Sequence, residues 1–351
     1  MPTPTFYFFS SRMATKFHIA KRLLAMGWQE LTTDKSALFT DENLVLNDDI
    51  SQVLEFKHLL AQLVTKHCKN LMPISYCVND DNYSQVLARI IYEHYMVNNR
   101  YQHEVKDLKW ILKPSMLNNG DNIYLFNNIE ELKAHFSSTK RLGGEHVIQQ
   151  YIPNPDLINN RKYTFRVSGV FTNFAGVYLY KQGYVNISAL DFDLNDRFVN
   201  KKVHITNYVL DGEFANIEQR STQTLPQFDK IYQQMCSIVH QVLSALLKEH
   251  PEYLKPQKLK KFEIFGFDFI LDDKGKLWLL EINQAPDAPT FEENKLDPIL
   301  WEPFWQDIID EFVVPIALNT PPKRSYAHYQ QILSAKASYS LWRSLLKKLM
   351  P

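Results

Sequence analysis

The sequence has few cysteines and no excess of charge of either sign. Lysine plus arginine and aspartate plus glutamate number 39 each in 351 residues, so no overall field favours nucleic acid or an anionic membrane as a partner. The three cysteines, Cys68, Cys77 and Cys236, match neither the spacing of a disulfide framework nor that of a zinc site. They fit a reducing compartment, and we expect a cytoplasmic monomer that binds no nucleic acid.

Long apolar runs and two common nucleotide-binding signatures are missing as well. The apolar run from Phe6 to Phe9 has four residues and no basic segment before it, unlike a secretory signal. No window approaches the roughly 18 apolar residues of a membrane helix, so no transmembrane segment is expected. Neither a GxxxxGKS/T loop nor an HRD and DFG pair is present, which argues against a kinase.

What the chain does have is enough apolar material for several cores. Hydrophobic residues make up 45% and aromatic residues 13% of a chain too long for one average domain, so we expect two or three domains sharing a cleft. The pattern predicts an α/β (α+β) fold with helices near 51–66, 82–96, 129–136 and 227–247. The predicted units are an N-terminal α/β domain (1–70), a central lobe (71–152), a C-terminal lobe (153–318) and a helical tail (319–351).

The predicted tail has the composition of an amphipathic helix. Its sequence, ILSAKASYSLWRSLLKKLM, mixes apolar residues with Arg343, Lys347 and Lys348. Such a helix either packs on its own domain, which is favoured, or binds a membrane or a partner.

A predicted β-hairpin near the C-terminus carries a cluster of polar residues. The strands FGFDFIL and LWLLEIN flank the turn sequence DDKG. With a four-residue loop, Gly266 pairs with Glu281, and Asp268 lies diagonal to Glu281. Because strand side chains alternate, Asp268, Glu281 and Asn283 then share one face. Two carboxylates and an amide suit Mg²⁺, which takes few protein ligands and completes its shell with water and nucleotide phosphates.

The alternative is that these acidic residues are solvated surface groups, as they often are at the ends of hairpins. Asp268 and Glu281, however, stand within runs of Phe, Ile, Leu and Trp. An unpaired carboxylate would be costly to bury there. The interpretation as a metal site is therefore favoured.

The segment FEIFGFDFILDDKGKLWLLEINQAPD resembles the closing motif of the tubulin tyrosine ligase and tubulin tyrosine ligase-like family. Further blocks resemble this family in the same order over about residues 70–290: MPISYCV, WILKP, VIQQYI, RKYTFR and VHITNY. The resemblance implies an ATP-grasp fold whose central and C-terminal lobes enclose an ATP cleft. It also implies a ligase that uses ATP and Mg²⁺ to join an amino acid to a protein carboxylate through an acyl-phosphate.

The matching blocks assign nucleotide contacts to particular residues. Lys113 lies on a strand before the loop PSMLNNGDN and is expected to pair with phosphate oxygens rather than to be a surface lysine. Lys57 matches, in a loose alignment, a lysine that the family directs toward ATP. The family's hinge, which offers polar groups to adenine beside an apolar shelf, corresponds to Gln149, Gln150, Tyr151 and Ile152.

On the strand RKYTFR, the side chains of Lys162, Thr164 and Arg166 project from one face, which is expected to line the cleft. Arg166 is a candidate catalytic residue, because a guanidinium can orient a carboxylate in bidentate fashion or stabilise a charged tetrahedral intermediate. Lys162 is assigned to both catalysis and nucleotide binding.

The block VHITNY implies a third group of site residues. His204, a further catalytic candidate, would act with Thr206 and Asn207 to position nucleotide and acceptor groups. A structural role is the alternative for a lone histidine, and the two are about equally favoured.

The sequence departs from the family pattern at three places. Thr164 stands where the family strand usually has an aspartate, and Asn186 stands where members commonly have an arginine after a tight-turn glycine. The phosphate loop reads GDN where a second glycine is common, which should stiffen it. The metal cluster and Lys113 are retained, so we expect ATP chemistry to persist with a different substrate, and tubulin is not favoured as the acceptor.

The sequence leaves three functional hypotheses. The favoured one is an ATP-dependent carboxylate–amine ligase that adds an amino acid of the glutamate, tyrosine or glycine type to a protein or peptide acceptor. A ligase acting on a small peptide or metabolite and a nucleotide-binding module without catalysis stay open. Thr164 and Asn186 lend weight to the last of these.

Overall fold

The computed structural model describes residues 2–10, 13–96, 109–117, 120–195, 198–207, 209–210, 213–214, 216–285, 288–290, 294–323 and 325–335. Helices combine with mainly antiparallel sheets, which confirms the predicted α+β class. None of the helices within these ranges is long and apolar enough to cross a membrane.

The strands of the described residues are β1 (Thr5–Tyr7), β2 (Gln29–Glu30), β3 (Phe39–Thr40), β4 (Ser75–Val78), β5 (Trp110–Pro114), β6 (Tyr124–Phe126), β7 (His146–Gln150), β8 (Leu157–Ile158), β9 (Arg161–Thr172), β10 (Gly176–Ile187), β11 (Val209–Leu210), β12 (Glu213–Phe214), β13 (Glu218–Ser221), β14 (Phe262–Leu271), β15 (Leu277–Gln284) and β16 (Tyr329–Ser334). A small parallel sheet has the order β2-β1-β3, and a four-stranded antiparallel sheet has the order β4-β7-β5-β6. The seven-stranded sheet has the order β13-β10-β9-β14-β15, with β16 beside β10 and β8 beside β9.

The α-helices of the described residues are α1 (Ala14–Ala25), α2 (Asp48–Glu55), α3 (Lys57–His67), α4 (Tyr83–Ile90), α5 (Ile129–Ser137), α6 (Lys201–His204), α7 (Phe228–Glu249), α8 (Glu302–Ile308) and α9 (Val314–Ala317). Helix α7 is the one predicted at 227–247, and its apolar positions at three- and four-residue steps are buried. The helix predicted at 51–66 is two helices. Phe56 between them has an extended conformation, with ψ at 117°.

One face of the seven-stranded sheet packs on α2, α3 and α7. Tyr163, Phe165 and Val167 of β9 lie in this core, so the alternate residues of the strand face the other way, as predicted. Strand β1 and helix α1 share a second core with α8. The domain limits drawn from the sequence remain predictions. Residues of α2 and α3 pack in the same core as residues of β9 and α7.

The hairpin of β14 and β15 forms as predicted, but its register differs from the predicted one. Gly266 pairs with Asn283 rather than with Glu281, and Asp268 lies directly opposite Glu281 rather than diagonal to it. The prediction of a four-residue loop is also wrong, because the paired residues leave 272–276 as the loop.

The longer loop and a β-bulge in β15 each shift the register by one residue from the predicted one. The pairing shifts between Asp268 and Phe269, and Leu280 is the extra residue that the shift accommodates. Without a bulge, strict alternation would turn Glu281 toward the core together with Leu279. The bulge keeps Glu281 on the cleft face, opposite Asp268.

The predicted helical tail begins as a strand instead. Strand β16 pairs antiparallel with β10, with Tyr329 opposite Tyr180 and Leu333 opposite Val177. The helical prediction is therefore wrong over 329–334, because pairing with a sheet and burial of Tyr329 and Leu333 outweigh the local helical pattern. The rest of the amphipathic segment, from residue 336 onward, lies outside the described residues.

Candidate active site

One cleft brings together the site residues that the sequence singled out. Its walls come from the four-stranded and the seven-stranded sheets, and its volume of about 530 Å³ is in the range of small-molecule sites. Every candidate site residue lies on its surface: Lys57, Lys113, Gln149, Gln150, Tyr151, Ile152, Lys162, Arg166, His204, Thr206, Asn207, Asp268, Glu281 and Asn283.

Four polar side chains stand in a row across the floor of the cleft, each on a different strand. Tyr184 is opposite Arg166, Arg166 is opposite Asp268, and Asp268 is opposite Glu281. Arg166 Nε donates to Asp268 Oδ1 at 2.6 Å, and its Nη2 donates to Asp268 Oδ2, which makes a bidentate ion pair. The carboxylate that Arg166 engages here is thus one of the protein's own.

Asp268, Glu281 and Asn283 meet at this row. Asn283 Nδ2 donates to Asp268 Oδ2 at 3.2 Å and to Glu281 Oε1 at 3.5 Å. Burial raises the pKa of Asp268, and so does the adjacent Glu281, while Arg166 opposes both effects. A divalent cation would relieve the repulsion between the two carboxylates, and this set of oxygen donors fits Mg²⁺. The described residues contain no group of three His, Cys, Asp or Glu side chains suited to a metal ion, so such a site needs the Asn283 amide.

Two lysines lie close to Glu281. Lys57 Nζ is 3.7 Å from Glu281 Oε2 and donates to the Leu117 carbonyl at 2.8 Å, which links α3 to the loop after β5. Lys113 Nζ donates to Gln149 Oε1 at 2.9 Å, and burial lowers the pKa of Lys113 to about 8. Burial alone would raise the pKa of Glu281. The positive charges of Lys57 and Lys113 outweigh this effect and hold that pKa below its ordinary value. Lys57 is assigned to ATP binding only from a loose alignment. The structure places it near Glu281, as it does Lys113.

Several polar groups of the hinge segment, residues 149–152, already form hydrogen bonds within the protein. The backbone N–H groups of Gln150 and Tyr151 donate to carbonyls of neighbouring segments at 2.8 and 2.9 Å. The Gln149 side chain accepts from Lys113 and donates to Ser75 Oγ at 2.9 Å. Adenine recognition at this segment remains a prediction, and the apolar shelf it requires is formed by Ile111, Ile123, Ile152 and Ile270.

Lys162, Tyr151 and His204 form a buried hydrogen-bonded group beside the hinge. Lys162 Nζ donates to the Tyr151 hydroxyl at 3.2 Å and to the His204 carbonyl at 2.7 Å, and the hydroxyl lies 3.0 Å from His204 Nδ1. Burial, then Lys162, lowers the pKa of His204 to about 3. The imidazole is therefore neutral, which suits hydrogen bonding better than proton transfer at neutral pH.

The model of the Tubulin-tyrosine ligase family matches residues 56–322, which is more than half of the chain. The chain belongs to the tubulin-tyrosine ligase family. It is 28% identical to a probable tubulin polyglutamylase of Mus musculus over 295 residues, which are 78% of this chain and 49% of that protein. It is 25% identical to tubulin glycylase 3B of Tetrahymena thermophila over 202 residues, or 53% of this chain and 17% of that protein. A probable tubulin–tyrosine ligase of Schizosaccharomyces pombe is 25% identical over 288 residues, or 70% of this chain and 68% of that protein.

Membership of the tubulin-tyrosine ligase family makes the fold an ATP-grasp fold, as the sequence resemblance implied. The relatives carry the names of three different tubulin-modifying enzymes, a polyglutamylase, a glycylase and a tyrosine ligase. The chain spans less than half of the length of the polyglutamylase and the glycylase.

The two strand positions at which we expect the chain to depart from the family pattern are neighbours in space. Thr164 lies directly opposite Asn186. Thr164 Oγ1 is 2.7 Å from Thr206 Oγ1, and Gln219 Nε2 donates to Asn186 Oδ1 at 2.9 Å. These four residues form one uncharged wall of the cleft, which we call the neutral wall. Both positions therefore belong to the same surface, and Thr164 lies two residues from Arg166 along β9.

Hydrogen bonds to the start of α3 anchor the loop after β5, and no sequence pattern indicated them. Ser115 Oγ accepts from His58 N at 3.2 Å and also bonds His58 Nδ1, and Lys57 N donates to the Ser115 carbonyl at 3.3 Å. These bonds satisfy N–H groups at the start of α3, which has no side-chain cap from its own N-cap residue. A contact between residues so far apart in the chain leaves no local sequence signal.

The buried Lys162 predicts a measurable dependence of stability on pH. Burial, then the nearby Lys113, lowers the pKa of Lys162 to about 7, whereas a lysine in an unfolded chain titrates near about 10.4. Between these values the unfolded chain binds more protons than the folded protein, so the free energy of unfolding rises with pH, by at most about 1.4 kcal/mol per pH unit for one lysine. Urea unfolding between about pH 7 and 9.5 should show this rise, and Lys162→Met should reduce its slope. An unchanged slope in the variant would contradict the lowered pKa.

Proposed function

We propose that this chain is a ligase that uses ATP and Mg²⁺ to join an amino acid to a carboxylate of a protein or peptide through an acyl-phosphate. The observation that supports this most is the contact row of Arg166, Asp268 and Glu281, flanked by Lys57 and Lys113. Phosphoryl transfer depends on placing cations and a held metal ion around the phosphates. Family membership supports the same reaction class.

Each group of residues has a definite task in this proposal. Lys57, Lys113 and Lys162 bind phosphate oxygens, and their ammonium groups act strongly because the surrounding protein excludes water. Asp268, Glu281 and Asn283 would hold the Mg²⁺, which neutralises phosphate charge when bound. The isoleucine shelf beside the hinge receives the base.

The proposed reaction has two bond-forming steps. An oxygen of the acceptor carboxylate bonds to the γ-phosphorus of ATP, and the bond from that phosphorus to ADP breaks. The amino group of the second substrate then bonds to the acyl carbon, phosphate leaves, and the nitrogen loses a proton. No cysteine or serine nucleophile is required, so positioning and charge compensation supply most of the rate.

The neutral wall supports a substrate that differs from the usual ones of the family. Thr164 and Asn186 present no formal charge to a ligand, and their polar groups are bonded to Thr206 and Gln219. The donor amino acid is of the glutamate, tyrosine or glycine type in this proposal. The acceptor carboxylate belongs to a protein or peptide, of which tubulin is one candidate because it is named for the relatives.

An intact-mass screen tests the proposed function. The protein is incubated with ATP, Mg²⁺, pooled amino acids and either purified tubulin or a cell lysate, and ADP release is followed in parallel. We expect a mass increase of one or more residues on an acceptor, together with ADP release that requires both the amino acid and the acceptor. Product that forms without any protein acceptor would indicate a small-peptide ligase instead. A protein that binds Mg-ATP but never turns over with any pair would overturn the proposal in favour of a binding module.

A further inference from the structure

The carboxylates proposed as metal ligands are already neutralised by cations of the protein. Asp268 accepts hydrogen bonds from both Nε and Nη2 of Arg166, and Glu281 lies 3.7 Å from Lys57 Nζ. The side chains of Arg166 and Asp268 are only 19% and 12% exposed. Water therefore screens these charges weakly, and each acts strongly on its neighbours.

The sheet fixes Arg166 at this place. It lies between Tyr184 and Asp268 in the register of three adjacent strands, so its guanidinium reaches Asp268 without leaving the row. Its planar fork matches both oxygens of the carboxylate, which a lysine ammonium cannot do. A metal ion that approaches Asp268 therefore meets a cation already bound to the same two oxygens.

The two carboxylates already have enough positive charge around them without a metal ion. Asp268 and Glu281 contact two cations, Arg166 and Lys57, and the ammonium of Lys113 adds a third positive charge near Glu281. A lone divalent cation would add two more positive charges to this group. The phosphates of a nucleotide bring negative charge that attracts both the metal ion and the side-chain cations.

We propose that Arg166 is the resident counter-cation of Asp268 and competes with a divalent cation for that carboxylate, so that the metal ion binds tightly only together with a polyphosphate. This inference rests on the metal site of the proposed function. It makes Arg166 a positioning residue for metal loading, in addition to any contact with substrate.

We test the competition between Arg166 and the metal ion by titrating the nucleotide-free protein with Mn²⁺ alone. Electron paramagnetic resonance measures the concentration of the free ion. Arg166→Met should bind Mn²⁺ about tenfold or more tightly than the wild type, because a unit charge close to a divalent cation has been removed. Arg166→Lys, which keeps the charge but loses the fork, should lie between the two. A non-hydrolysable ATP analogue should tighten Mn²⁺ binding more in the wild type than in Arg166→Met.

Three controls make the result specific to this site. Arg161→Met alters the same strand, but Arg161 pairs with Glu218 away from the metal ligands, so Mn²⁺ affinity should not change. Adding Glu281→Gln to Arg166→Met should abolish the gain, and a gain that persists would overturn the inference. Thermal unfolding verifies that each variant is folded, and if Arg166→Met is not, Arg166→Lys against the wild type decides.

Unchanged or weaker Mn²⁺ binding in the folded Arg166 variants would overturn the inference. Because no ATP is consumed, this result is separate from the test of the proposed function. A protein without ligase activity that still shows the gain would refute the proposed function alone. An active ligase without the gain would refute the inference alone.

Discussion

Replacing Glu281 by glutamine is expected to reduce ATP-dependent ligation about 1,000-fold. Glu281 lies opposite Asp268 and within 3.7 Å of Lys57, and it carries the carboxylate with the lowered pKa in the cleft. The substitution removes one of the two negative charges of the proposed metal site. A bound metal ion contributes several kcal/mol of charge stabilisation to phosphoryl transfer, and about 1.4 kcal/mol corresponds to a tenfold change in rate. ADP release with saturating amino acid and acceptor measures the effect.

A matched control separates this loss from a general effect of removing a carboxylate. Glu249 pairs with Lys66 and His67 at the end of α7 and is not part of the cleft lining, so Glu249→Gln should keep the wild-type rate. Thermal unfolding should show that Glu281→Gln is folded, since glutamine has nearly the shape of glutamate. A folded Glu281→Gln variant that keeps more than about a tenth of the rate would contradict the proposed metal site.

Replacing Lys113 by methionine is expected to weaken ATP binding about 10- to 100-fold, the worth of a hydrogen bond to a charged group. Its ammonium is buried in the cleft, and burial lowers its pKa to about 8. Burying the charged ammonium of Lys113 therefore destabilises the folded protein. Methionine carries no charge and avoids this desolvation penalty, although Gln149 loses a hydrogen bond. We therefore expect weaker nucleotide binding in isothermal titration calorimetry without a loss of stability in urea unfolding at about pH 7.

Weaker ATP binding without a loss of stability distinguishes a lost phosphate contact from general destabilisation of the variant. Lys133→Met is the control, because Lys133 is a partly exposed lysine of α5 that pairs with Glu130 and does not line the cleft. Neither ATP affinity nor stability should change noticeably in that variant. Wild-type ATP affinity in Lys113→Met would show that Lys113 does not contact the phosphates.

Besides Glu281 and Lys113, the neutral wall is a further place to look for contacts with the substrate. Thr164 and Asn186 stand where the sequence resemblance leads us to expect an acid and a base, and the sheet pairs the two residues directly. Each is bonded to another uncharged side chain, so the replacement leaves no unpaired charge. The row of Tyr184, Arg166, Asp268 and Glu281 lies next to the neutral wall. This arrangement fits the proposed phosphoryl chemistry combined with altered substrate recognition.

Much of the site could be predicted from sequence because strand alternation is a local property. Lys162, Thr164 and Arg166 face the cleft, while Tyr163, Phe165 and Val167 face the core, as their spacing predicted. The helix α7 followed in the same way from its apolar period. The ordered motif blocks indicated the tubulin-tyrosine ligase family, and the match to the family model confirmed it.

What the sequence determined by itself was therefore which residues of β9 face the cleft and which family the chain belongs to. Only the tertiary structure decided how those residues meet: the bulge at Leu280, the pairing of Arg166 with Asp268, the approach of Lys57 to Glu281, and the strand at 329–334. Each of these depends on contacts between segments far apart in the chain. Their free energy comes from pairing and burial across the fold, which no local pattern of side chains records.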